Sequence, residues 1–165
     1  MEIIFVLFIG GLVGSILMDF TEDKMAKNGI NSGVTGAYIG RWVNGFKKGI
    51  FIHSNIINTQ PVKNEIRIGK AFHFVVGGGV VALFYPLFLE ILGLSLSANH
   101  LILATIFGLL TSVLPWFVLM PSFGWGVFGL KAPKGARTIL SPMLSHMPYG
   151  FGIGLTLVTY FVLMA

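Results

Sequence analysis

Four apolar runs dominate the chain: Ile3–Met18, Ala71–Leu92, Leu101–Met120 and Ile139–Met164. A helix of roughly 20 apolar residues crosses the hydrocarbon core of a bilayer, and each of these runs is of that order. Composition agrees, because only 10% of the residues are charged where a soluble domain carries about 25%. The predicted fold is all-α: a single polytopic membrane domain with four transmembrane helices, over about 3–20, 71–92, 101–120 and 139–164. Glu2 stands where a secretory signal would be basic, and no small-residue cleavage site follows the first run, so that run is expected to remain as a helix.

The charges orient these helices. All eleven Lys and Arg residues fall between Lys24 and Lys70 or between Lys131 and Arg137. Under the positive-inside bias the loops over about 21–70 and 121–138 are cytoplasmic. The connection from Gly93 to Asn99 carries no basic residue and is expected outside, with both termini. The expected location is a membrane, with these two loops on its cytoplasmic side. The net charge of +5 is then a flank of membrane segments, touching the bilayer and its anionic head groups, rather than a nucleic-acid surface. The absence of cysteine excludes disulfides and thiolate ligands.

Three patterns organise the rest. Val34, Tyr38, Trp42 and Phe46 recur every four residues and predict one apolar helix stripe, either resting in the head-group layer or folded onto the bundle. Gly10 and Gly14, and again Gly150 and Gly154, have the spacing that lets helices approach closely in lipid. His73 with Gly77 and Gly79 matches His146 with Gly150 and Gly152. A parallel repeat of two helical hairpins would produce that match.

Ionisable groups near the expected cytoplasmic boundary are the candidate site: Asp19, Arg41, His53, His73 and His146. Such groups beside a membrane are a functional hypothesis by default. His73 and His146 are expected near helix N-termini, where the dipole favours the neutral imidazole that binds metal. Asp19 is expected at a helix C-terminus, in need of a cationic partner such as Arg41. Pro142 and Pro148 bracket His146, and a disrupted helix at membrane depth is tolerated where it lines a cavity or is buried in protein. Met18, Met120, Met143 and Met147 suit copper(I) in principle, but packing is the favoured reading. No metalloprotease, nucleophile-elbow or phosphate-loop motif is present in the sequence.

Three blocks carry a resemblance. They are Gly40-Arg41-Trp42 through His53, Pro61, Glu65 and His73; Pro115-Trp116-Phe117 with Met120-Pro121 and Gly124; and Pro133, Arg137, His146, Gly150 and Gly152. Together they resemble a family of small bacterial inner-membrane proteins with an uncharacterised domain. The resemblance implies four helices in the inner membrane and carries over no activity, substrate or cofactor.

The expected function is an integral inner-membrane protein with a cytoplasm-facing histidine and carboxylate site for a metal, a haem or a small anionic ligand. His73 and His146 are the expected metal or haem ligands. Two other classes stand beside it: a non-catalytic accessory or scaffold subunit, partnered by other membrane subunits or by its own copies, and a membrane-embedded enzyme or transporter. Enzyme activity is the weaker expectation, since no catalytic motif supports it.

Overall fold

The computed structural model describes residues 2–96, 100–135 and 137–165, and among these the chain is helical with no strand. Four helices are long and apolar enough to cross a membrane: α1 (Glu2–Lys27), α3 (Glu65–Ile91), α4 (Leu101–Ser122) and α5 (Arg137–Met164). A shorter helix, α2 (Gly36–Gly45), lies in the first long connection. Part of the expected outer connection, 97–99, lies outside the described residues.

The long helices overrun the apolar runs because polar residues with good helical propensity extend them. Helix α1 continues through Thr-Glu-Asp-Lys-Met-Ala-Lys, and Lys24 and Lys27 in its last turn complement the dipole. Helix α3 starts at Glu65 rather than near residue 71, with a polar first turn that hydropathy alone overlooks. Two helices also change winding. Helix α3 becomes a π-helix over His73–Val80, a stretch containing Gly77, Gly78 and Gly79. Helix α4 does so over Pro115–Leu119, where the proline has no N–H to give to the preceding turn. The two histidine helices therefore differ, since His146 lies in continuous α-helix.

The chain folds into two compact units. The first comprises Met1–Thr21, Phe74–Thr111 and Leu144–Ala165; the second comprises Glu22–His73 and Ser112–Met143. The second unit holds all eleven Lys and Arg against Glu22, Asp23 and Glu65, a balance of +8. The first unit holds no Lys or Arg and carries Glu2, Asp19 and Glu90, a balance of −3, which together restore the chain's +5.

In the first, acidic unit, the core gathers Leu7, Ala82, Tyr85, Phe107, Tyr149 and Ile153. Glycines bring its helices together. A Cβ on Gly14 would overlap the Tyr149 carbonyl, and one on Gly150 would overlap the Ala104 carbonyl. The glycine pair of α1 thus faces α5, and the pair of α5 faces α4, which is the close approach expected of this spacing. The Tyr149 hydroxyl donates to the Gly78 carbonyl inside the π segment at 2.7 Å. His100, buried, places Nε2 2.6 Å from the Ser95 carbonyl oxygen and meets Tyr85 edge-on. Outward-facing residues of this unit are strongly apolar: Ile91 is 76%, Ile102 75% and Leu163 77% exposed. Surface of that kind belongs against lipid rather than water.

The second, basic unit has its own aromatic core. The stripe along α2 and its two flanks supplies Val34, Tyr38, Trp42 and Phe46, and residues Met120, Phe123 and Trp125 supply the facing side. Of the two places open to that stripe, the structure therefore puts it in a protein core rather than in the head-group layer. The first connection alone is too short to bury such a core; residues from the second basic segment complete it. Trp42 meets Phe46, Phe72 and Phe123 edge-on, with ring centroids 4.8, 5.6 and 6.3 Å apart. Ser112 and Trp116 of α4 donate to the Pro142 and Ile139 carbonyls of α5, each at 3.2 Å.

Candidate functional site

Arg41, His53 and His73 belong to the basic unit, while Asp19 and His146 belong to the acidic one. The basic unit holds the better-defined polar geometry, and it starts from α2. Thr35 caps that helix, accepting from the Tyr38 N–H at 3.3 Å. Its apolar stripe faces the core, which leaves Arg41 on a different face, against the start of α3.

There Arg41 forms a two-pronged ion pair with Glu65. Nε lies 2.7 Å from Oε2 and Nη2 lies 3.0 Å from Oε1. Nη1 donates to the Thr59 carbonyl at 3.2 Å, and Glu65 Oε2 also accepts from the Val62 N–H at 2.9 Å. Both side chains are largely buried, at 12% and 15% exposure. The guanidinium also lies 5.4 Å from the Tyr38 ring centroid. The Glu65 hydrogen bonds raise the Arg41 pKa above its already high ordinary value. Arg41 is thus drawn into a structural fork with Glu65. The fork ties the 59–65 segment to α2.

His53 sits where the first connection runs beside the end of α4. Its backbone N–H donates to the Ser122 carbonyl at 2.8 Å, and the Ile56 N–H donates to Phe123 at 2.9 Å. Gly124 makes this approach feasible. Its φ is +81°, and a Cβ there would overlap the Ser54 carbonyl. The imidazole Nε2 of His53 is buried without a hydrogen-bond partner. Burial lowers its pKa from the ordinary value, which favours the neutral ring. A group whose folded pKa is depressed contributes stability above its unfolded pKa, near 6.5, and that contribution is lost as pH falls through the lower folded value. The expected result is that the basic unit unfolds more easily as pH drops below about 6.5, and that His53→Gln flattens this dependence. Tryptophan fluorescence during denaturant titration checks it, because Trp42, Trp116 and Trp125 all lie in the basic unit. Identical pH profiles for the two proteins would count against it.

His73 and Asp19 sit deeper in their helices than expected, and His146 sits at its expected depth. His73 is half-buried where α3 changes from α to π winding. It lies about two turns inside a helix that starts at Glu65. His146 is half-buried, about two turns inside α5, its ring edge-on to Tyr149 at 6.2 Å. Asp19 is half-buried about two turns before the end of α1. Helix α3 thus begins earlier, and helix α1 ends later, than hydropathy alone places them. Among the described residues no three His, Asp or Glu side chains group as a metal site. Met18 and Met120 fill the acidic and basic cores respectively, in keeping with packing.

Sequence reasoning missed the pairing of Arg41 with Glu65 and the burial of Trp125, which is 1% exposed and edge-on to Tyr38 and Phe123. The Glu65 signal was present in retrospect: an acid directly after Asn64, at a position that opens a helix. Trp125 lies between Gly124 and Gly126, both with positive φ, a turn that drives the indole inward.

No curated protein matches the chain, and neither does any solved structure. One family does match, over residues 7–161, a span that takes in the Arg41–Glu65 fork, both basic segments and nearly all of the four long helices. The chain therefore belongs to the family described as protein of unknown function (DUF2938).

Proposed function

We propose that this chain is an integral inner-membrane protein, with both termini outside the cytoplasm, that presents its basic unit to the cytoplasm as an accessory or scaffold subunit. One observation carries the reading: every Lys and Arg lies in a single compact unit with its own aromatic core. A flexible basic loop would satisfy the orientation bias equally well. A folded platform, cross-tied by the Arg41–Glu65 fork, instead offers fixed geometry to a partner. Positive charge of this density suits an acidic partner surface.

A second reading keeps His53 as a ligand-binding group, favoured by its buried, unpartnered Nε2 and neutral ring. Protein extracted from its own membrane in mild detergent separates the two. The scaffold reading predicts a particle with a second membrane polypeptide in fixed ratio, retained in a variant lacking His53, His73 and His146. A lone chain holding stoichiometric metal or haem, lost in that variant, would overturn the scaffold reading in favour of the histidine site.

A further inference from the structure

The basic unit carries an ordered apolar tip, of which only Phe51 touches the core, through the Phe46 ring at 5.3 Å between centroids. Ile50, Phe51 and Ile52 are consecutive and 42%, 59% and 73% exposed. The tip is held rigidly. The Ile50 N–H donates to Gly45, the Trp42 indole donates to the Phe51 carbonyl at 2.8 Å, and the His53 N–H donates to Ser122. A floppy loop could fold such side chains away, whereas this backbone is fixed and leaves Ile52 and Ile50 exposed.

Two neighbours say what covers it. Lys47 and Lys48, both exposed, precede the tip with only Gly49 between. No Asp or Glu occurs anywhere from Lys24 to Asn64, so no acidic residue of this connection offsets them. On the other side the tip joins an apolar helix face. Ser122, which receives the His53 N–H, lies one turn beyond Val118 and donates to its carbonyl at 2.7 Å. Val118 and Phe117 are themselves 49% and 52% exposed, on a helix apolar enough to cross the membrane. An exposed apolar stretch of α4 and the exposed tip are thus joined through Ser122, and two lysines lie on the tip's other side.

We propose that residues 47–52 form an interfacial anchor, with Ile50, Phe51 and Ile52 seated at the acyl boundary of the bilayer and Lys47 and Lys48 on anionic head groups. Apolar side chains beside basic ones are the composition that binds an anionic membrane surface. The anchor would fix the basic unit against the bilayer, whatever partner that unit serves. It depends on the membrane-spanning reading of α4 and not on the scaffold reading.

The chain has no cysteine, so single-cysteine variants report one position each. The full protein, reconstituted in phosphatidylcholine vesicles with or without phosphatidylglycerol, carries an environment-sensitive dye at Ile52→Cys, Phe117→Cys or Lys63→Cys. Lipids spin-labelled high on the acyl chain serve as quenchers. The anchor predicts a blue-shifted Ile52→Cys signal, quenched several-fold more than Lys63→Cys. Lys47→Gln/Lys48→Gln should weaken that quenching in the anionic vesicles. Quenching at Phe117→Cys with none at Ile52→Cys would overturn the anchor while leaving the helix in the membrane. Quenching at neither position would overturn the membrane reading, and the anchor with it. A blue-shifted but unquenched Ile52→Cys label would assign the tip to a protein contact and overturn the anchor.

Discussion

Gly69→Ala is expected to destabilise the basic unit by about 3 kcal/mol or more, near the upper end of what an added buried methyl costs. A Cβ at Gly69 would overlap the Gly36 carbonyl, and a Cβ at Gly40 would overlap the Glu65 carbonyl. Both obstacles are backbone, so no side-chain rotation relieves them. Helices α2 and α3 would have to separate, and separation stretches the Arg41–Glu65 fork that lies between them. Gly93→Ala is the informative contrast. Nothing lies within 4 Å of its Cβ, and only its φ of +70° resists a side chain. That strain is worth about 1 kcal/mol. Tryptophan fluorescence resolves the two, since all three indoles report on the basic unit while Gly93 lies in the acidic one. A Gly69→Ala protein with an unchanged unfolding midpoint would contradict the packing described here.

The second large effect belongs to Glu65. Replacing it with alanine removes both prongs from Arg41 and the acceptor of the Val62 N–H, and strands a guanidinium only 12% exposed. Breaking a buried pair by removing one partner costs about 3–5 kcal/mol. The residual exposure and the surviving bond to Thr59 reduce this to about 2–4 kcal/mol here. Arg41→Leu/Glu65→Leu should be milder than Glu65→Ala, because no buried charge is left behind. A double-mutant cycle followed by tryptophan fluorescence measures the coupling. Additive effects of the two single changes would show that the fork contributes nothing as a pair.

These two sites also mark what the sequence could reveal. The four apolar helices, the all-α class and the family resemblance were legible, because each rests on local composition or on spaced motif residues. The glycine pairs were legible because close helix approach demands small residues at fixed intervals. Helix ends were not, since the polar turns at Thr21–Lys27 and Glu65–Lys70 are decided by propensity and capping, to which hydropathy is blind. The partner of Arg41 was not legible either. Glu65 lies 24 residues away and is brought back by the packing of Gly36, Gly40 and Gly69. The aromatic core of the basic unit joins Trp42 to Phe123 and Tyr38 to Trp125, pairings too distant in the chain for periodicity to signal. The candidate histidines were legible as polar residues near the ends of apolar runs; His53 and His73 belong to the basic unit and His146 to the acidic one.

The most direct test of the account is the side of the membrane on which the basic unit lies. Lys134 is exposed in that unit, and Leu94, 44% exposed, lies in the acidic one. Lys134→Cys and Leu94→Cys would each be treated with a membrane-impermeant maleimide, first in spheroplasts and then in inverted vesicles. The account predicts labelling of Leu94→Cys in spheroplasts and of Lys134→Cys in inverted vesicles alone. Labelling of Lys134→Cys in intact spheroplasts would contradict it, because the basic platform would then face away from the cytoplasm.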